Sequence, residues 1–185
     1  MSELHLTREE LEAGLDEILR SPKEEGAIEL IVRRPEVGGR EILQEGELDI
    51  EVGLVGDNWS TRGSSKTEDR SSHPEMQLNL MNSRVIALVA GSEERWPLAG
   101  DQFFIDLDLS RENLPPGSRL QLGSAIVEVT PMPHTGCKKF VARFGMEAMK
   151  FVNSGEGKSL CLRGINARVL QPGIVRHGDM ARKLT

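Results

Sequence analysis

The sequence is poor in cysteine and aromatic residues and contains no long apolar run. Among its 185 residues are two cysteines and no tyrosine, and aromatic residues make up 4%. Two cysteines, Cys137 and Cys161, are too few for a disulfide framework, so we expect free thiols and a cytoplasmic location, with one Cys137–Cys161 disulfide as the alternative. No stretch approaches the roughly 18 apolar residues of a membrane helix. The first residues show no basic run before an apolar core, so no signal peptide is predicted.

A surplus of basic residues is also missing. The chain has 23 lysines and arginines against 29 aspartates and glutamates, a formal net charge of −6. General nucleic-acid binders carry a basic surplus, so nucleic acid is not an expected partner, and neither is a membrane. A local basic pocket for a small anion remains compatible with this balance. Hydrophobic residues make up 38%, and the length suits one water-soluble domain with a full core.

The N-terminal segment carries the clearest helix signal. Thr7 and Glu10 have the spacing of a capping box, and apolar residues recur at helical spacing from Leu11 to Leu19. We predict an amphipathic helix within residues 1–22 that packs on a domain formed by residues 23–185. A helix that binds a partner protein is the alternative.

Beyond this helix, many short apolar segments alternate with glycine-rich turns. Strands are predicted at residues 28–34, 47–55, 85–90, 102–107, 167–170 and 174–176, with a hairpin at 119–129. A helix is predicted at 138–152 with a break near Gly145, and Cys161 lies in a strand-like segment where packing is its expected role. Residues 60–75 form a polar loop, either mobile or a lid. The pattern predicts a mainly β fold, a closed or nearly closed β-barrel with a few short helices.

Cys137 has the sequence context of a reactive thiol. It ends a proline- and glycine-containing loop and precedes a predicted helix that starts with Lys138 and Lys139. A helix start and adjacent lysines both favour the thiolate, which can hold a persulfide or ligate a soft metal. His134, three residues earlier, could take or give a proton. An inert, buried cysteine is the alternative interpretation.

Several basic residues are candidates for an anion cradle, if the barrel brings them together. They are Arg84, Lys138, Lys139, Arg143, Arg163 and Arg168. Scattered surface charges are the alternative. His134 and Cys137 are too few for a structural zinc site, which needs four ligands. The sequence has no phosphate-binding loop, dinucleotide glycine motif or nucleophile elbow.

Four short pieces of residues 98–179 occur in an order that resembles a known family. The pieces are Gly100-Asp101-Gln102-Phe103; Leu120-Gln121-Leu122-Gly123-Ser124-Ala125 with Val127-Glu128-Val129-Thr130; Cys137-Lys138-Lys139-Phe140; and Arg168-Val169-Leu170 with Gly173-Ile174-Val175 and Gly178-Asp179. This succession resembles the MOSC domain, named for the C-terminal domain of molybdenum cofactor sulfurases. The resemblance implies a stand-alone MOSC-like barrel, of the kind also inserted in pyruvate kinase.

The resemblance also implies roles for particular residues. Cys137 matches the family's central cysteine, which carries a persulfide in sulfurases and ligates molybdenum in relatives that reduce N-hydroxylated compounds. The expected cofactor is molybdopterin-bound molybdenum, whose phosphate the basic residues would hold. Many members carry a His-x-Gly-Gly-like segment where this chain reads Asn79-Leu80-Met81-Asn82-Ser83-Arg84, so Asn82 and Arg84 are the candidates for the pocket there.

Partner proteins follow from what the family would require here. The chain lacks the pyridoxal-phosphate desulfurase domain of full sulfurases, so a sulfur carrier would depend on a separate sulfur donor. It has no flavin or iron–sulfur motif, so a reductase would depend on an electron-transfer protein. Two hypotheses follow: a molybdenum enzyme or sulfur carrier acting through Cys137, or a non-catalytic β-barrel module that binds a small anion or a protein.

Overall fold

Residues 5–185 are described by a computed structural model, and the first four residues of the predicted N-terminal helix region lie outside this range. The strands are β1 Glu25–Arg33, β2 Glu41–Leu43, β3 Glu45–Asp49, β4 Gly53–Leu54, β5 Leu78–Asn82, β6 Phe103–Ile105, β7 Arg119–Leu122, β8 Ala125–Val129, β9 Ile165–Gln171, β10 Gly173–Arg176 and β11 Met180–Leu184. The helices are α1 Arg8–Ala13, α2 Leu15–Leu19, α3 Trp59–Arg62, α4 Ser83–Ala90, α5 Lys138–Phe144, α6 Met146–Asn153 and α7 Gly155–Ser159. Short 3₁₀ helices occupy Pro74–Met76 and Glu93–Ala99.

Within residues 5–185, seven strands close into a β-barrel, which confirms the predicted fold class. The strand order is β11-β7-β8-β9-β5-β6-β1, and β1 pairs with β11 to complete the ring. The β5–β6 pair is parallel, whereas the other pairs of the ring are antiparallel. Closure leaves the ring without an unpaired edge, which is the usual solution to the edge-strand problem. A small sheet of β10, β3 and β4 packs beside it.

Two apolar clusters explain why β1 reads as a nearly continuous hydrophobic run. Ile28 and Ile31 belong to the cluster inside the barrel, whereas Leu30 and Val32 belong to a second cluster that includes residues of the helices. Helices cover this part of the outer surface, so both faces of the strand are buried. Leu11 of α1 and Ile18 of α2 are buried in the second cluster.

The N-terminal helical segment is capped as the sequence predicts. The Thr7 hydroxyl accepts a hydrogen bond from the Glu10 amide at 3.3 Å, and a Glu10 carboxylate oxygen accepts one from the Thr7 amide at 2.7 Å. The predicted single helix is interrupted, however, at Gly14. There, a Cβ atom would come within 2.6 Å of the Leu88 side chain, so glycine permits the close approach of this segment to α4.

The prediction of a strand at residues 85–90 is wrong, because this segment belongs to helix α4. The Asn82 side chain accepts a hydrogen bond from the Arg84 amide at 2.8 Å and caps the helix, and Gly91 ends it with a φ of 76°. The apolar residues of this segment are compatible with either period, since a short apolar run does not separate a strand from a buried helix. The strand lies just before it, as β5.

Other predictions were partly right. The 119–129 hairpin is confirmed as β7 and β8, and the 138–152 helix is confirmed as α5 and α6 with its break at Gly145. The strand predicted at 47–55 is instead a hairpin of β3 and β4. The prediction of a strand-like segment around Cys161 is wrong, because this residue follows α7 in a turn and has a φ of 51°. Strand β11 was not predicted.

Hydrogen bonds to Trp59, just before the polar loop at residues 60–75, connect the two ends of this loop. The buried Trp59 ring donates a hydrogen bond from Nε1 to the His73 carbonyl at 3.3 Å, and the Ser72 hydroxyl donates one to the Trp59 carbonyl. These contacts hold the second end of the loop against the start of α3, the helix that carries Arg62. Whether the rest of the loop moves or closes as a lid stays a prediction. Among the helices of residues 5–185, none has the length and apolar content needed to span a membrane.

Candidate functional site

Cys137 is presented at the surface by two helices. It is exposed and occupies the N-cap position of α5, where its carbonyl accepts a hydrogen bond from the Val141 amide at 3.0 Å. The preceding loop is fixed by Asn153 of α6, whose side chain accepts from the Gly136 amide at 2.8 Å and donates to the Gly136 carbonyl at 3.0 Å. The alternative interpretation of Cys137 as a buried cysteine is therefore wrong, because the structure places this residue at the surface.

The surroundings of the sulfur favour its thiolate form. Partial burial raises the pKa of the Cys137 thiol, but hydrogen bonds from the backbone amides of Phe140 and Lys139 and the charges of Arg163 and Lys139 lower it further. The net result is a Cys137 pKa below the ordinary thiol value. Thiols in such electropositive, accessible places are the reactive ones.

The thiol borders a cavity whose walls are strongly basic. The cavity has a volume of about 200 Å³. Its cationic lining residues are Arg34, Arg40, Arg62, Lys139, Arg143 and Arg163. Glu36 is the acidic residue among the lining residues that the structure describes. We call this space the Cys137 cavity.

Two of the arginines are held rigidly by buried carboxylates. Arg34 forms a two-pronged ion pair with Asp57, with its Nε and Nη2 atoms 2.9 and 2.8 Å from the carboxylate oxygens. Arg163 places Nη1 2.6 Å from Asp101 Oδ2 and donates from Nη2 to the Ala99 carbonyl, while its guanidinium lies 5.1 Å from the centre of the Phe140 ring. Paired, buried guanidinium groups of this kind keep a fixed orientation.

The other arginines of the cavity have no carboxylate partner within residues 5–185. Arg40 donates to the carbonyls of Pro97 and Gly39, and Arg143 donates to the carbonyl of Leu98. Burial lowers the pKa of Arg40, and the neighbouring charges of Arg143 and Arg34 lower it further. Burial and the Arg34 charge lower the pKa of Arg62 in the same way. In this cavity the cationic side chains outnumber the acidic groups that act on them, which gives a positive potential that attracts an anion.

Two buried polar atoms at the Cys137 cavity also have no hydrogen-bond partner among the residues that the structure describes. They are Asn58 Oδ1 and Arg163 Nε, on side chains that are 92–93% buried. Unpaired buried donors and acceptors cost roughly 1–3 kcal/mol each, so they call for an explanation such as a ligand or a bound water. A ligand with both an acceptor and a hydrogen-bond donor would satisfy these two atoms.

His134 contacts Asp101, the partner of Arg163, but it does not line the Cys137 cavity. Its Nε2 lies 2.9 Å from Asp101 Oδ1, and Asp101 is completely buried between His134 and Arg163. Burial and the Arg163 charge lower the His134 pKa despite the Asp101 carboxylate, so the imidazole is neutral at pH 7. His134 lines a neighbouring cavity, which Arg163 also lines.

Three of the six predicted cradle residues, and the predicted pocket residue Asn82, lie away from the Cys137 cavity. Arg84 pairs with Asp106 at 2.7 Å, and Asn82 donates from its side chain to the Ser21 hydroxyl and the Leu107 carbonyl. Arg168 pairs with Glu128 on the neighbouring strand, and Lys138 is exposed but is not among the cavity's lining residues. Lys139, Arg143 and Arg163 are thus the predicted cradle residues that the structure brings to Cys137.

Sequence reasoning missed the residues that the first third of the chain contributes. Arg34 and Arg40 flank the turn after β1, and Asn58 and Arg62 lie at α3. No motif marks them. The one signal in the sequence is that Arg34 and Arg40 flank a predicted turn, since loops often carry binding residues. Within residues 5–185 no group of three or more histidine, cysteine or acidic side chains could hold a metal ion without other ligands.

The two thiols are expected to differ in reactivity. Cys137 is exposed with a lowered pKa, whereas burial raises the pKa of Cys161. At pH 7.5 we expect iodoacetamide to alkylate Cys137 at least about tenfold faster than Cys161, because the thiolate is the reacting form. Mass spectrometry of the two cysteine-containing peptides over time measures both rates. Equal rates, or faster modification of Cys161, would contradict the assignment.

Comparison with known proteins shows similarity of fold. YuaD from Bacillus subtilis superposes with a TM-score of 0.58 at 17% identity, covering 87% of this chain and 97% of that protein. YiiM from Escherichia coli superposes with a TM-score of 0.55 at 19% identity, covering 86% and 70%. YiiM from Geobacillus stearothermophilus gives 0.52 at 13% identity, covering 88% and 74%. No family model and no curated protein sequence matches this chain.

Proposed function

We propose that this chain is a MOSC-type domain that binds an anionic, metal-containing cofactor in the Cys137 cavity, with Cys137 as the protein ligand of the metal. The observation that carries the proposal is one cavity that combines an exposed thiol of lowered pKa with three arginines that have no carboxylate partner in the described part of the chain. The fold supports it, because YuaD and YiiM, which share the barrel, are MOSC-domain proteins.

The residues of the cavity fit a molybdenum cofactor. Arg40, Arg62 and Arg143 would hold the terminal phosphate, because phosphate oxygens match the donor geometry of guanidinium groups. Asn58 Oδ1 would accept from an N–H group of the pterin, which gives the unpaired buried acceptor a partner. The Cys137 thiolate is a soft ligand of the type that suits such a metal. When bound, the cofactor would supply two-electron redox chemistry, for example for the reduction of N-hydroxylated compounds.

The chain's own groups have separate tasks in this proposal. Asp101 fixes the orientation of Arg163, and the Arg163 charge, together with the backbone amides of Phe140 and Lys139, lowers the Cys137 pKa. Asp57 fixes Arg34 and, by accepting from the Trp59 amide at 3.0 Å, also fixes the start of α3, which carries Arg62. The site is therefore organised before the ligand arrives, which lowers the entropic cost of binding.

A sulfur carrier is the second candidate function. The exposure of Cys137 favours it, because a persulfide must be reached by both a donor and an acceptor protein. The same thiolate would attack the sulfane sulfur of a donor persulfide; the donor leaves as a thiolate, and Cys137 holds the transferred sulfur. The basic cavity would then bind an anionic acceptor of that sulfur.

The test is the molybdenum content of protein purified from a host that makes the cofactor. We expect near-stoichiometric molybdenum in the wild type and loss of the metal in Cys137→Ser. Cys161→Ser is the matched control and keeps the metal, because this thiol lies outside the Cys137 cavity. We expect an Arg40→Gln, Arg62→Gln double variant to keep the fold but to retain less metal, because both side chains line the cavity and neither has a carboxylate partner within residues 5–185.

Absence of molybdenum from the wild type would overturn the metal-binding proposal. Labelling of sulfane sulfur then tests the carrier: a persulfide on Cys137 in the wild type, absent in Cys137→Ser, supports it. Neither metal nor persulfide would leave a barrel that binds a small anion, which is the non-catalytic alternative.

A further inference from the structure

A second cavity shares the Arg163 side chain with the Cys137 cavity. Its volume is about 270 Å³, and it lies between the loop after β8 and the segment that joins α7 to β9. Its walls are mainly apolar, with side chains of Leu114, Val129, Met132, Val152 and Ile165. We call it the His134 chamber. Pockets for drug-sized ligands have volumes of roughly 300–1,000 Å³, so the chamber suits a somewhat smaller molecule.

The chamber has one oriented hydrogen-bond acceptor. The Asp101 carboxylate, whose pKa is lowered by Arg163 and His134 despite its burial, accepts from His134 Nε2 at 2.9 Å. The proton of the neutral imidazole is therefore on Nε2, and Nδ1 is left as an acceptor. Nδ1 has no hydrogen-bond partner among residues 5–185.

Besides the buried Arg163, which is paired with Asp101, the chamber has two further cations and no acid among its described lining residues. Arg111 and Lys158 line it, and both are exposed, so they lie where the chamber meets solvent. Neither side chain forms an ion pair within the described part of the chain. Apolar walls with two unpaired cations at the opening complement a molecule that has an apolar body and one anionic end.

We propose that the His134 chamber binds a small monocarboxylic acid with an apolar, ring-sized body, whose carboxylate is held by Arg111 and Lys158. The apolar body lies against Met132 and Ile165, where burial of apolar surface supplies the affinity. A hydrogen-bond donor on the body would meet His134 Nδ1. The site is distinct from the Cys137 cavity, and its existence does not depend on a bound cofactor.

The experiment compares two probes of the same shape, 3-phenylpropionate and 3-phenylpropan-1-ol, by calorimetry on the metal-free protein. We expect the acid to bind about tenfold more tightly, because the two cations attract its carboxylate and not the neutral alcohol; a tenfold difference corresponds to about 1.4 kcal/mol. In the methyl NMR spectrum the Met132 signal should shift on addition of the acid, whereas that of Met180 on β11 should not. The Arg111→Gln, Lys158→Gln double variant should bind the acid no better than the alcohol.

Arg168→Gln is the matched control, because Arg168 is a half-exposed cation outside the chamber, and it should leave both affinities unchanged. Cys137→Ser should also bind the acid as the wild type does, so failure of the cofactor proposal would not affect this one. The inference is overturned if neither probe binds at millimolar concentration, if acid and alcohol bind equally, or if the double variant keeps the preference for the acid.

Discussion

Asp57→Ala is expected to lower the free energy of unfolding by about 3–5 kcal/mol. Asp57 is buried, and one of its carboxylate oxygens accepts from the Arg34 amide and Nε, both at 2.9 Å. The other accepts from Arg34 Nη2 at 2.8 Å and from the Trp59 amide at 3.0 Å. Alanine would leave the Arg34 guanidinium charged and unpaired in a buried place, which costs more than the ion pair itself contributes.

Chemical denaturation followed by circular dichroism measures this loss. Glu45→Ala is the control, because Glu45 pairs with Arg176 at 2.8 Å but both side chains are more than half exposed. Exposed pairs contribute about 0–1 kcal/mol, so this variant should unfold almost as the wild type does. Similar losses of unfolding free energy in the two variants would show that the buried Asp57 pair stabilises the fold no more than an exposed pair does.

The Asp57 pair also illustrates what the sequence could not predict. Arg34 and Asp57 are far apart along the chain, and Arg34 additionally contacts Asn79 and the carbonyl of Gly100. These contacts form only when β1, β5 and the start of α3 are brought together by closure of the barrel. Nothing local in the sequence around Arg34 or Asp57 marks either residue as part of a site.

Local signals, by contrast, were sufficient where the structure is local. The hairpin at residues 119–129 follows from two alternating segments around Gly123, whose φ of 58° suits glycine. The break between α5 and α6 follows from Gly145, with a φ of 90°. Cys137 was singled out from its own neighbours, and the hydrogen bonds that stabilise its thiolate come from amides two and three residues later.

The candidate cradle contains both residues that could be placed from local sequence and residues whose position depends on tertiary contacts. Lys139 and Arg143 share a helix with Cys137, so their proximity could be predicted from spacing along the chain. Arg84 and Arg168 instead face acidic residues on neighbouring elements. Net charge and residue type do not distinguish a paired arginine from an unpaired one. The distinction depends on tertiary contacts, and it decides which arginines can bind an anion.

Acidification from about pH 7 to pH 5 is expected to destabilise the fold through His134. Burial and the Arg163 charge lower its pKa in the folded protein, more than Asp101 raises it. Below the ordinary imidazole pKa of about 6.5, the unfolded chain therefore binds a proton that the folded protein does not. The free energy of unfolding falls by up to about 1.4 kcal/mol per pH unit, until the folded imidazole is itself protonated. Above about pH 7.5 both states are neutral, and His134 contributes no pH dependence.

Denaturation curves at several pH values between about 5 and 8 measure this slope, and a variant separates it from the titration of carboxylates. His134→Gln has no titratable group at this position, so its stability should fall less steeply than that of the wild type over the same range. His177→Gln is the control, since His177 is exposed and lies outside the network of Asp101 and Arg163. This control should keep the wild-type slope. Equal slopes for wild type and His134→Gln would mean that folding does not lower the His134 pKa, which would contradict the effect of burial and of the Arg163 charge on this imidazole.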